Sequence, residues 1–162
     1  MQTKAPWTFA TAAMRKIVMC VAGLLAGAVT ISHSAFAASD PVFGDWMTVS
    51  GGAKVRIAPC LANPALTCGT LVWLKKGKDK TGGPVRDLNN PDAALKGRSL
   101  IGVLLVSNLK REATGVWTGG KIYVPETGRT ARANLASNPD GTLKVEGCVA
   151  VICQTRVWTK AN

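Results

Sequence analysis

From residue 46 onward the chain is written in short alternating runs. In Lys54-Val55-Arg56-Ile57 and in Thr142-Leu143-Lys144-Val145-Glu146, charge falls on one face and aliphatic side chains on the other. A period of two marks a half-buried strand. The same reading predicts strands over Trp46–Ser50, Ala53–Ala58, Gly69–Lys75, Leu100–Val106, Gly115–Thr118, Lys121–Val124, Thr130–Ala136, Thr142–Glu146 and Ile152–Thr159. Turn signals separate them: Gly51-Gly52, Gly82-Gly83-Pro84, Gly119-Gly120, Pro125-Glu126-Thr127-Gly128 and Asn138-Pro139-Asp140-Gly141. Strands at such spacing, with no long stretch of helical period, imply an all-β antiparallel sandwich or barrel. A closed barrel also removes exposed edges, which favours it for a small exported protein.

The start of the chain follows another pattern. Lys4, Arg15 and Lys16 precede an uncharged run from Ile17 to Ile31, and Ala35-Phe36-Ala37 follows it. A basic start, an apolar centre and a small-x-small end predict a signal peptide over residues 1–37, with cleavage after Ala37. The run is shorter than the roughly 20 apolar residues a membrane span needs. No transmembrane span is expected after cleavage. Cys20 lies inside the apolar run, not after a small-residue box, which argues against a lipoprotein.

Removal of that segment changes the chemistry available. Of 20 Lys+Arg the remainder keeps 17, against all nine acids, a net charge of +8. It loses His33, the single histidine, so a Ser-His-Asp or Cys-His catalytic set and an imidazole metal ligand are excluded. Residues 38–162 form one domain. Four cysteines remain: Cys60, Cys68, Cys148 and Cys153. An even number in an oxidising compartment reads as disulfides, and two local bridges are favoured. Cys60 and Cys68 flank Asn63-Pro64, a turn signal. Cys148 and Cys153 would be about 17 Å apart on a straight strand, so their bridge requires a turn within Val149–Ile152. The rival, a zinc site of four thiolates, lacks two-residue knuckle spacing.

One segment breaks the strand pattern. Lys75 to Ser99 is a long polar connection, and loops of this length are often functional. Asn90 as N-cap and Pro91 at the first helical position predict one short helical turn ended by Gly97.

Within that loop, Asp87-Leu-Asn-Asn-Pro-Asp-Ala-Ala-Leu-Lys-Gly-Arg98-Ser-Leu-Ile-Gly102 resembles the motif D-x-x-N-P-D-x-x-L-x-x-R-x-L-x-G of a family of uncharacterised exported bacterial proteins, domain of unknown function 2147. A second block, Trp117-Thr-Gly-Gly120-Lys-Ile-Tyr123-Val-Pro125-Glu-Thr-Gly128, and a closing Trp158-Thr-Lys160 follow in the family's order, and Gly44-Asp-Trp46 also fits. The resemblance spans Val42 to Lys160 and implies a small lipocalin-like β-barrel of undetermined activity. Two departures are Val124, where the family often has Asp, and Lys160, where Arg is more usual. The missing Asp puts any catalytic role at that position in doubt.

The resemblance also implies a lipocalin-type barrel closure, in which Trp46 packs against a cation of the last strand. Arg156 and Lys160 are the two candidates. Asp87, Asn89, Asn90 and Asp92 are oxygen ligands in a turn-rich loop, but Pro91 and the absence of a closing Glu fail the calcium-loop template. Their ordinary role is loop scaffolding, with Asp87 or Asp92 paired to Arg98. Lys75, Lys76, Lys78, Lys80 and Arg86 form a basic cluster, which either solvates a turn or draws in an anionic envelope surface. Nucleic acid is not an expected partner after export, and no cofactor or metal is expected.

Three functions remain. The first is an exported, periplasmic binding module for an apolar or amphiphilic ligand or an anionic envelope component. The second is a structural or interaction protein with a side-chain-filled barrel. The third is a carboxylate- or metal-based enzyme, disfavoured by the lack of histidine and of a nucleophile motif.

Overall fold

The computed structural model describes residues 40–161; the expected signal peptide lies outside the described residues. Eight antiparallel strands close into a barrel in simple up-and-down order: β1 (Gly44–Met47), β2 (Ala53–Pro59), β3 (Thr67–Leu74), β4 (Leu104–Ala113), β5 (Val116–Val124), β6 (Arg129–Ser137), β7 (Leu143–Val149) and β8 (Ile152–Lys160). The expected all-β barrel is therefore what forms. Inward positions alternate along each strand: Val55 and Ile57, Leu135 and Ala133, Leu143 and Val145 are buried, while their neighbours face water. No helix among the described residues is long and apolar enough to cross a membrane.

Two strand expectations need correction. Gly119-Gly120 is not a turn; β5 runs straight through it with a register shift against β6. Gly119 takes φ +71°, and a Cβ on Gly120 would lie 2.6 Å from the Ser107 carbonyl oxygen and 2.7 Å from Leu109 Cγ. These glycines bend a continuous strand and let its neighbour approach. The strand expected over Leu100–Val106 begins later, at Leu104, because Leu100 to Gly102 form a turn held by Val103 N–H donating to the Leu100 carbonyl.

Both local disulfides form. Cys60 and Cys68 bridge across a loop in which Leu66 N–H donates to the Asn63 carbonyl, as the Asn-Pro signal implies. Cys148 and Cys153 are direct cross-strand partners flanking the two-residue turn Ala150-Val151. The chain turns there without glycine: Ala150 is left-handed at φ +51°, a conformation costing an ordinary residue roughly 1–2 kcal/mol. The Arg132 guanidinium donates to the Ala150 carbonyl at 2.6 Å and helps hold the turn.

The barrel has two unlike ends. At one end, β1 starts, β8 finishes, and the segment Asp40–Phe43 folds across. At the other lie the β1–β2 turn, the long loop between β3 and β4, the β5–β6 turn and the β7–β8 turn.

Candidate functional site

The closed end is filled. Trp46, Val42, Trp117, Leu143 and Trp158 are all buried there. Trp46 Nε1 donates to the Val42 carbonyl at 2.7 Å, so the indole polar atom is satisfied while its body packs. The Lys160 ammonium lies 4.4 Å from the Trp46 ring centroid and donates to the carbonyls of Phe43 (2.6 Å) and Pro41 (3.1 Å). Of the two cations proposed for barrel closure, Lys160 takes the role. Arg156 does not: it sits one inward step further from the floor, beyond Trp158, and faces the open end.

The long loop is not a floppy connection. The buried carboxylate of Asp87 accepts at Oδ1 from the Tyr123 hydroxyl (2.6 Å) and at Oδ2 from Asn90 Nδ2 (2.7 Å) and from Arg98 Nη2 (2.8 Å) and Nε (3.0 Å). Asn89 Nδ2 donates to the carbonyls of Pro125 and Glu126. Gly128 closes the joint: at φ +67° it tolerates the left-handed backbone, and a Cβ there would lie 1.8 Å from the Asn89 carbonyl oxygen. The two separated motifs, around Asp87 and around Tyr123, thus meet and lock the loop onto the β5–β6 turn. Burial pushes the Asp87 carboxyl up, but the hydrogen bonds from Tyr123, Asn90 and Arg98 outweigh it and hold the group below the usual aspartate range. Burial and the Asp87 carboxylate together raise the Tyr123 phenol.

The helical turn is a single 3-10 turn, Ala93–Leu95, and its N-cap is Asp92 rather than the expected Asn90; Asp92 Oδ1 accepts from Ala94 N–H. The turn ends at Leu95, short of Gly97. Asn90 is committed elsewhere, donating to Asp87 and accepting from Asp92 N–H across Pro91. These bonds engage the Asp87 carboxylate, Asn90 Oδ1 and Asp92 Oδ1 within the loop itself.

The open end holds a cup of about 520 Å³, within the range of roughly 300–1,000 Å³ typical of small-molecule sites. Its apolar wall includes Ile122, Val145, Val149 and Ile152, with Trp158 as floor. Four polar side chains stand among them: Thr127, Arg129, Gln154 and Arg156. Val124, the position where Asp was expected from the motif, lines the same wall. On β8 the inward residues read Ile152, Gln154, Arg156, Trp158 from rim to floor, a period of two present in the sequence. That alternation could have identified Gln154 and Ile152. Arg129 opens β6 directly after the β5–β6 turn and carried no such signal. β1 is short and meets β8 only at Trp46–Lys160 and Met47–Thr159, so a groove remains beside the rim half of β8, lined by Val49, Ser50 and Arg156.

Around the mouth, Val49, Leu88, Val149, Val151 and Ile152 are 62, 66, 62, 94 and 72% exposed, a fringe of apolar side chains that the sequence reading missed. Lys75, Lys76, Lys78 and Lys80 project from the loop at this end, and Asp79 turns inward to bind the N–H groups of Thr81 and Gly83. Arg86 is tied down, donating to the Gly97 carbonyl.

Glu146, Cys148 and Cys153 cluster closely enough to suggest a metal site, but the two sulfurs are joined in a disulfide. The four-thiolate zinc alternative is likewise replaced by the two bridges.

No curated protein matches the chain. Among solved structures it is similar to the protein HP1028 from the human pathogen Helicobacter pylori, described as belonging to the lipocalin family: 21% identity, a TM-score of 0.63, and coverage of 74% of this chain and 82% of that one. At that identity the likeness speaks to the fold, a lipocalin-like barrel. The profile of a family described as "Uncharacterized protein conserved in bacteria (DUF2147)" matches residues 44–160, which include all three motifs and the barrel that they close, so the chain belongs to the DUF2147 family.

Proposed function

We propose that this chain is an exported, periplasmic binding module that holds one apolar or amphiphilic ligand in the cup and turns the mouth toward an anionic envelope surface. The observation that carries this reading is the cup itself: half of the barrel is packed with side chains, and the other half is apolar-walled and open. Small barrels are either filled or hold one small ligand. This one divides the two conditions between its ends, which favours a ligand over a wholly structural barrel. The lipocalin-like fold fits the same role. The basic start of the chain with Ala35-Phe36-Ala37, together with two disulfides, supports export. The apolar fringe beside four exposed lysines supports contact with an anionic membrane surface.

In this reading Asp87, Asn89, Asn90, Asp92 and Arg98 are scaffolding that fixes the loop beside the mouth. Asp87 already accepts four hydrogen bonds, three at Oδ2 and one at Oδ1, which commit the buried carboxylate to holding the loop. Trp117, Gly120, Tyr123, Pro125, Gly128 and Trp158 serve the barrel and the loop joint.

Native mass spectrometry of protein taken from its own periplasm tests the reading. The expected result is a chain beginning at Ala38, with no alkylatable thiol, carrying a bound mass. The neutral dye N-phenyl-1-naphthylamine should brighten on addition to ligand-stripped protein. No bound mass and no brightening would refute the binding module.

A further inference from the structure

Resting on the binding-module reading, we propose that the cup selects a single-chain amphiphile with a negatively charged headgroup, and that Arg156 with Gln154 receives the head. The charge inventory points there. Of the seven arginines in the described residues, Arg56, Arg98 and Arg111 are paired with Asp45, Asp87 and Asp40. Arg86 and Arg132 donate to the carbonyls of Gly97 and Ala150. The two left over, Arg129 and Arg156, both line the cup, and no carboxylate lines it with them. Arg156 is held only by long contacts, 3.5 Å to the Thr155 carbonyl and 3.4 Å to Gln154 Oε1. Its fork is free to grip a carboxylate or phosphate with two parallel hydrogen bonds, and the Gln154 amide stands beside it with donors of its own.

Depth sets the orientation. Ile152 to Trp158 spans about 20 Å of strand, and Arg156 lies toward the floor end of it. A head bound there leaves the tail along Ile122, Val145 and Val149, ending in the apolar fringe of the mouth. The groove between the β1–β2 turn and β8 also reaches Arg156. Water can therefore remain at the head, and the pair avoids the desolvation cost of a sealed ion pair.

Displacement of N-phenyl-1-naphthylamine by decanoate, decyl phosphate, decanol and decyltrimethylammonium, each kept below its micellar concentration, tests this. At least one anion should displace the dye at a concentration roughly tenfold below decanol, with the ammonium weakest, because a charge-assisted bond exceeds a neutral one by about that factor. The stronger of decanoate and decyl phosphate identifies a fatty acid or a lysophospholipid as the source. Arg156→Gln should erase the advantage of the anions over decanol measured on the same variant, and Arg156→Lys should restore part of it. Val124→Asp, opposite Arg129 in the strand register, puts a carboxylate in the cup and should weaken both anions. Equal displacement by decanol and the anions, or an advantage that survives Arg156→Gln, overturns the headgroup proposal while the binding module stands. Failure of the dye to bind removes the module itself.

Discussion

The two ends of the barrel are built from the same eight strands but solve opposite problems. At the closed end three tryptophans and the Asp40–Phe43 segment fill the space between strands, and the Lys160 ammonium lies over the Trp46 ring. At the open end the inward positions carry smaller aliphatics, glycine and arginine, so the interior empties into a cup. The loop above it is stiffened not by packing but by one buried carboxylate with four donors. Apolar volume therefore secures one end, and a polar network fixes the geometry of the other. Substitutions at the two ends should fail in different ways.

The largest effect is expected at the closed end. Trp46→Ala removes a ring that is 2% exposed, takes away the aromatic face under the Lys160 ammonium and frees the Val42 carbonyl. Truncation of a buried aromatic costs about 3–5 kcal/mol. The cation–π contact is a small part of this, roughly 0.5–1 kcal/mol, because Lys160 is exposed. Urea denaturation should show a lower midpoint with unchanged slope. A change of a few tenths of a kcal/mol would mean that the end is held by the other two tryptophans alone.

Arg98→Ala probes the open end. The Asp87 side chain is fully buried but Arg98 is 36% exposed, and Tyr123 and Asn90 still donate, so the loss should be about 1–3 kcal/mol rather than the full cost of an orphaned buried charge. The effect depends on pH with a definite sign. Asp87 titrates below its ordinary value in the native state, so its contribution is complete above about pH 4 and disappears as pH falls through the native value. Asp45, lowered chiefly by the hydrogen bond from Arg56, and Asp79 and Asp140, lowered chiefly by the hydroxyls of Thr81 and Thr142, titrate in the same direction. The difference between wild type and variant isolates Asp87. The stability gap should be widest near neutrality and close as pH falls through the native titration of Asp87. A gap independent of pH would show that Arg98 acts by packing alone.

The same contrast explains what could be read from the sequence. Strand alternation, turn residues and cysteine parity report on local geometry, and they were enough for an all-β barrel or sandwich and for both bridges; the Trp46–cation closure came from the family resemblance. They could not choose between Lys160 and Arg156, since both share a face and the choice depends on where β1 ends. The Asp87–Tyr123 bond joins residues 36 apart in sequence, and only the loop fold brings them together. The cup was hidden for a related reason: the Cys148–Cys153 bridge required a turn within Val149–Ile152, but only the left-handed Ala150 shows which residue makes it. Once that turn is placed, β8 acquires its register and Gln154 and Arg156 point inward.

The smallest expected effect on stability accompanies the clearest expected effect on function. Lys75, Lys76, Lys78 and Lys80 are exposed and share no ion pair with an acid among the described residues, so replacing all four by Gln should change the unfolding midpoint little. They stand at the mouth, beside apolar side chains that could enter the interfacial layer of a bilayer. The quadruple variant should sediment less with anionic phosphatidylglycerol vesicles than wild type, and the difference between the two should vanish with neutral vesicles. Wild-type adsorption should weaken as salt shortens the screening length to about 8 Å and below. A Val151→Asp, Ile152→Asp variant sharpens the result, because fringe insertion leaves a salt-resistant remainder that only these substitutions remove. Equal adsorption by the quadruple variant and wild type would reduce the lysines to a solvated turn, and the open end would then differ from the closed one in its cup alone.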